Sequence, residues 1–187
     1  KSKEAIVGGC FLGETKVKTE DGFVAIKDIE EGNKVLTINE ETGQEEYKEV
    51  KKVFIRSGNE ICIIKAGNDI IKATTGHLFK VKDKWWTAAI NIEKGDYICT
   101  DNNEYLQVDY ISVEKNNYPS FVYNLSVEEN HNYFVGEEKI LAHNMANMKS
   151  CSQGIEGVNN PKLLSTYQER LAQTPINNGK WTGARGE

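Results

Sequence analysis

The chain has 187 residues, enough for one ordinary domain with appendages and a sizeable core. Hydrophobic residues make up 39% and charged residues 27%, with 3 prolines and a net charge of −5, and lysine and glutamate alternate along the chain. This excludes a basic nucleic-acid-binding stripe, and no apolar run approaches the roughly 18 residues needed to span a bilayer.

The chain opens at Lys1 without a signal-peptide pattern and reads as a segment excised from a longer protein. From Cys10 to Asn144, short alternating or apolar runs are separated by turn signals, which predicts an all-β domain. Strands are expected over 15–19, 34–38, 46–55, 60–66, 69–74, 78–82, 96–99, 106–114, 121–127, 132–135 and 139–142. Asp21-Gly22, Ser57-Gly58, Ala66-Gly67-Asn68 and Gly136-Glu137 supply turns, and helical periodicity is confined to single turns near 26–30 and 89–93. One internal echo stands out. Residues 17–26 resemble 81–90, and after a one-residue slip 29–35 answer 92–98, which predicts a duplicated β unit with pseudo-twofold symmetry.

After Asn144 the composition changes. Residues 145–160 are polar and rich in glycine and asparagine, as in a linker. Residues 161–173 fit a short helix with Asn160 as N-cap and Leu163, Leu164, Tyr167 and Leu171 on one face, ended by Pro175 and Asn178-Gly179. The expected division is a flanking segment 1–9, a domain 10–144, and a linker with the start of another domain over 145–187.

The four cysteines, at 10, 62, 99 and 151, form no C-x-x-C pair. Cys62 and Cys99 lie in apolar runs and read as buried thiols. Cys10 is different, since Gly8-Gly9 precedes it and suits either a strained backbone or a flexible linker. The three histidines are His77, His131 and His143.

Together these residues carry a resemblance. Gly-Gly-Cys10-Phe-Leu-Gly-Glu-Thr-Lys-Val and the run from Asp21 to Val35 are similar to the opening block of Hint (intein-type) domains. Thr74-Thr-Gly-His77-Leu-Phe resembles their T-x-x-H block, the stretch from Val122 through Asn124 and His131 to Phe134 the penultimate one, and Ile140-Leu-Ala-His143-Asn144 the closing one. Only 53 residues separate His77 from His131, which leaves no room for a homing endonuclease. The resemblance implies a minimal, horseshoe-like Hint fold that cleaves its own backbone without cofactor or metal.

The chemistry explains the residue types. Cys10 can attack the Gly9 carbonyl through a five-membered ring, converting the Gly9–Cys10 amide to a thioester. Amide resonance is lost, so the fold must stabilise the oxyanion and protonate the departing amine. By the resemblance, His77 is that acid and Thr74 its supporting hydroxyl. At the other end, the Asn144 side-chain amide can attack its own carbonyl, forming a succinimide and releasing Met145 as a new N-terminus. His143 and His131 are the implied helpers there, and positioning alone can lower such intramolecular barriers by about 7–11 kcal/mol.

Two departures shape the expectation. Met145 offers no hydroxyl or thiol to receive the thioester, and Ser150 and Cys151 are the nearest downstream nucleophiles. Asn124 stands where many inteins carry aspartate and cannot act as a base. Both favour uncoupled cleavage over splicing. The arrangement is most similar to pretoxin Hint modules of bacterial polymorphic toxins, which implies a monomeric part of a secreted or exported protein. Its partners would be flanking segments in cis, with cleavage after Asn144 freeing a C-terminal effector. Splicing through an unusual acceptor, a non-catalytic β module and an inhibitory zinc site at Cys10, His77, His131 and His143 stay open at this point.

Overall fold

The computed structural model describes residues 9–143 and, further on, two short strands, Ile176–Asn177 and Lys180–Trp181. Asn144, Met145 and the expected helix over 161–173 lie outside the described residues. The chain divides into two units, Lys1–Gln153 and Gly154–Glu187.

Two long strands, β5 (Glu45–Ala66) and β10 (Tyr105–Val127), organise the first unit. They run antiparallel side by side, from Val108 opposite Ala66 to Val127 opposite Val50. The turn expected at Ser57-Gly58 is absent, and the two strands expected on either side of it are one. The same holds for 106–114 and 121–127. Turn-forming residues were overridden because each long strand finds the other as a ladder partner through the polar stretch. The register breaks between Lys115 and Ser120, and Pro119, which has no N–H to give a ladder, sits in that break.

Each long strand serves both halves of the sheet system. Before β5 come β1 (Phe11–Leu12), β2 (Lys16–Thr19), β3 (Gly22–Ala25) and β4 (Lys34–Ile38), and after it β6 (Asp69–Thr74), β7 (Leu78–Val81), β8 (Trp85–Ala88) and β9 (Tyr97–Cys99). Strands β11 (Asn132–Val135) and β12 (Ile140–His143) close the domain. Strands β1, β3 and β8 were not anticipated, being short and lacking clean alternation. No α-helix occurs among the described residues; 3-10 turns at Ile26–Asp28 and Ala89–Asn91 stand where single helical turns were expected, with a third at Asp101–Asn103.

The internal duplication is real in three dimensions. The series β2, β3, 3-10 turn, β4, β5 is repeated by β7, β8, 3-10 turn, β9, β10, with the same pairings inside each copy. Loop bonds repeat too. Ile26 N–H donates to Thr15 O (2.7 Å) and Ala89 N–H to His77 O (2.8 Å), while Val50 N–H donates to Asn33 O (2.8 Å) and Val108 N–H to Asp96 O (2.7 Å). The register differs from the sequence echo: Thr19, not Val17, corresponds to Val81, since each pairs with its copy's next strand, at Val35 and Ile98. The hairpin turn of the second copy is one residue longer, and this absorbs the offset. The same correspondence makes Phe11 and Ala73 equivalent, and these two residues are paired with each other. The pseudo-twofold axis therefore passes between β1 and β6.

The core gathers residues from both copies. Phe11, Val17, Ile26, Ile64, Phe79, Ile98, Leu125, Tyr133 and Ile140 are wholly or almost wholly buried. Each such aliphatic or aromatic side chain contributes on the order of 1.5–3 kcal/mol. Cys62 and Cys99 are buried as expected.

One buried polar group joins the copies. Asn132 accepts the Ile38 N–H at Oδ1 and donates from Nδ2 to Ile38 O, both at 2.9 Å, so its side chain mimics a strand neighbour for the free side of β4. Asn132→Ala leaves both Ile38 groups buried without these partners, and a loss of about 2–4 kcal/mol follows. Urea unfolding of the uncleaved precursor measures it; a loss below about 0.5 kcal/mol would contradict this role.

Candidate active site

Strand register builds the N-terminal site. β1 is inserted between β6 and β10, with Phe11 opposite Ala73 on one side and Tyr123 on the other. One residue earlier in β1 is one residue later in each antiparallel neighbour. Cys10 is thereby flanked by Thr74 and Asn124. The Cys10 N–H donates to Thr74 Oγ1 (2.9 Å), and Thr74 N–H donates to Cys10 O (2.8 Å). The Thr74 carbonyl is left to accept His77 N–H at 3.1 Å, closing the turn that returns His77 to the same site. This is the local reason for the T-x-x-H spacing: the hydroxyl takes the ladder bond while the carbonyl makes the turn.

On the other flank Asn124 Nδ2 donates to Gly9 O at 2.6 Å. This oxygen belongs to the amide between Gly9 and Cys10. Asn124 Oδ1 accepts from Leu125 N–H (2.8 Å) and from the Tyr133 hydroxyl (2.7 Å), so both ends of the amide are engaged. The sequence reading treated Asn124 as a lost carboxylate. The structure makes it a donor to the carbonyl that an attacking thiol would convert to an oxyanion. The Cys10 side chain is 2% exposed and packs with Ile61 and Val122.

His77 is fully buried among aromatic rings, with Phe11 at 4.0 Å and Phe79 at 5.4 Å between centroids. It lies so close to Gly9 that a β-carbon there would overlap the imidazole Nδ1 and the His77 Cα. Glycine at position 9 is therefore a steric requirement of the site, set by its closeness to His77 and not by a left-handed backbone. Burial pushes the His77 pKa down to about 3. The Gly9 backbone favours protonation and His143 opposes it, yet neither ring nitrogen completes a hydrogen bond among the described residues. His77 is a neutral imidazole at neutral pH. It is therefore not a standing acid, and any proton it gives must first reach it.

The other two histidines lie at the end of β12 and before β11. Asn132 pairs with His143, and Ala142 with Phe79 of β7. His143 stacks edge-on against Trp86 at 4.8 Å, and its pKa is lowered by burial, with Glu40 opposing and His131 assisting. His131 holds a left-handed backbone, φ 53°. The Nδ1 atoms of His131 and His143 are buried without hydrogen-bond partners among the described residues. Buried ring nitrogens without partners are costly, most of all at His77, where both are affected and the residue is wholly buried. No metal-binding group of three or more ligands occurs among the described residues. Sequence reading missed Phe11, Trp86 and Tyr133; the Asn-Tyr-Phe run after His131 was the available signal for the last.

The His77 shift has a thermodynamic consequence. Its folded pKa lies below the usual value of 6.5, so between pH 6.5 and about 3 the unfolded chain binds a proton that the folded one does not. Stability is complete above that window and falls as pH drops through it, by about 1.4 kcal/mol per pH unit for this group. His143 adds in the same direction. Urea unfolding of an uncleaved precursor between pH 7.5 and 4.5 should show the loss, and His77→Gln should reduce its slope. Equal slopes would place the titrating group elsewhere.

The geometry matches known proteins. A family model described as the pretoxin HINT domain matches residues 16–145, which include Thr74, His77, Asn124, His131 and His143 but not Gly9 or Cys10. A bacterial intein-like domain from Clostridium thermocellum is 33% identical with a TM-score of 0.70, covering 72% of this chain and 98% of its own. The DnaX mini intein from Spirulina platensis is 30% identical, with a TM-score of 0.60 and coverage of 72% and 99%. A DnaB intein from Synechocystis is 25% identical, with a TM-score of 0.61 and coverage of 73% and 99%. No curated protein matches the chain. An all-β duplicated fold, a cysteine wedged between Thr74 and Asn124, and these relatives together make the chain a member of the pretoxin Hint family, an intein-type self-processing domain.

Proposed function

We propose that the chain cuts its own backbone at Gly9–Cys10 and at Asn144–Met145, and that the second cut frees a C-terminal effector of which 145–187 is the linker and beginning. The observation that carries the first half is the three-sided hold on one peptide bond: Asn124 on its oxygen, Thr74 on its N–H, and His77 against Gly9.

In the first reaction Cys10 Sγ bonds to the Gly9 carbonyl carbon and the bond to Cys10 N breaks. Neutral His77 takes the thiol proton and returns it to the departing amine, so no net proton is exchanged with solvent. The Asn124 amide stabilises the oxyanion in between. Water then hydrolyses the thioester, releasing 1–9 and restoring the thiol. In the second, Asn144 Nδ2 attacks its own carbonyl carbon, the bond to Met145 N breaks, and a side-chain amide proton moves to that amine. His143 and His131, half-buried and with Nδ1 atoms that find no hydrogen-bond partner among the described residues, are the groups for this transfer. Because Met145 has no nucleophile, the thioester is not passed on and the flanks are not joined. The domain acts in cis as a monomer, without cofactor, in a protein exported by a bacterium. No helix among the described residues is long and apolar enough to cross a membrane.

Intact-mass analysis over time, with and without dithiothreitol, tests the scheme. Thiol should accelerate loss of 1–9. Asn144→Ala should abolish release at Met145 and leave the thiol-dependent cut; persistence of both fragments would falsify the role of Asn144. A product joining Gly9 to Met145 would establish splicing instead. Gly9→Ala must displace His77 or the scissile carbonyl, and an ångström-scale shift of this kind slows the N-terminal cut by about a hundredfold. An unimpaired Gly9→Ala rate would show that the close approach to His77 is irrelevant.

A further inference from the structure

Asn124 can help at the Gly9 carbonyl in only one of its two amide orientations. With Nδ2 outward it donates to the oxygen that becomes negative; flipped, it would set Oδ1 against that oxygen, acceptor against acceptor. The choice is made by what addresses Oδ1. Leu125 N–H is one donor, and it comes from the adjoining residue. The second is the Tyr133 hydroxyl, reaching across from β11 at 2.7 Å. Tyr133 is wholly buried, and its ring meets Phe11 edge-on at 6.1 Å, so the phenol has a fixed origin.

We propose that Tyr133 is a positioning residue of the N-terminal reaction, its hydroxyl holding the Asn124 amide so that Nδ2 faces the Gly9 carbonyl oxygen. This rests on the cleavage at Gly9–Cys10 proposed above. Burial, with the Cys10 sulfur adding to it, keeps the phenol protonated and hence a donor throughout. Phenylalanine at this position would fill the same space and keep the contact with Phe11. It would remove only the hydrogen bond.

The experiment uses the full chain with Asn144→Ala, so that only the N-terminal reaction runs, and adds Tyr133→Phe, Asn124→Ala or both. Tyr133→Phe should slow dithiothreitol-dependent release of 1–9 by about ten- to a hundredfold, approaching the loss of an oxyanion donor. In the Asn124→Ala background it should have no further effect, because the phenol acts through that amide. A rate within about twofold of the parent, or the same slowing in the Asn124→Ala background, overturns the proposal. A second measurement needs no cleavage. In a Cys10→Ala chain, the Asn124 side-chain amide protons observed by nuclear magnetic resonance should exchange with solvent at least about tenfold faster once Tyr133→Phe is added. Unchanged exchange overturns the positioning role. If exchange responds but no variant ever opens Gly9–Cys10, the orientation of Asn124 stands and the proposed cleavage is what fails.

Discussion

The placement of the Gly9–Cys10 bond depends on a two-residue strand being paired on both sides. β1 contributes only Phe11 and Leu12, yet it bonds β6 and β10 simultaneously. Side chains alternate faces along a strand, so a slip of one residue would send the Cys10 side chain to the opposite face and bring different groups to its flanks. Nothing in a two-residue strand could enforce register alone. The neighbours do so, because β6 and β10 are each locked to β5 over many residues. The long ladder is thus the ruler against which a single peptide bond is positioned.

The contents of the site follow from its dryness. An ionised group this deeply buried would cost several kcal/mol unless paired. The residues around Gly9 and Cys10 respond by being neutral: an amide at 124, a hydroxyl at 74, a protonated phenol at 133, and an imidazole whose pKa has fallen to about 3. Charge then arises only during reaction, where preorganised dipoles are most effective. In this setting a carboxylate at 124 would face an acceptor oxygen and raise the energy of the oxyanion.

Much of this was legible in the residues, and the rest was hidden for physical reasons. Alternation and turn residues revealed β4, β6 and β11 with correct ends, since short, well-bounded strands carry their own punctuation. Ser57-Gly58 misled because a turn signal is local, whereas the continuity of β5 is set by a partner some sixty residues away. Cys10, Thr74 and His77 were singled out by the resemblance of their blocks to Hint domains, and the fold brings them together. The donor role of Asn124 was not, because side-chain type says which hydrogen bonds are available and only the register says which is made. Gly9 was ambiguous until the nearness of His77 appeared. Tyr133 is a core aromatic by burial, and no sequence pattern singles out its hydroxyl.

The duplication explains why the site lies where it does. The pseudo-twofold axis passes between β1 and β6, where Phe11 meets its own equivalent, Ala73. Backbones on either side are nearly interchangeable: Thr15 and His77 occupy corresponding positions, each giving its carbonyl to the 3-10 turn of its copy. A symmetric arrangement of side chains would put equal groups on both sides and so favour no direction of proton transfer. The copies have diverged at those few positions. One turn carries an ordinary threonine, the other a buried imidazole, and a cysteine stands immediately before β1. Symmetry supplies the doubly paired frame at the axis, and its breaking by His77 supplies the group proposed above to carry the proton. A single unduplicated unit would lack both neighbours of β1, which belong to the second copy, and with them Thr74 and Asn124.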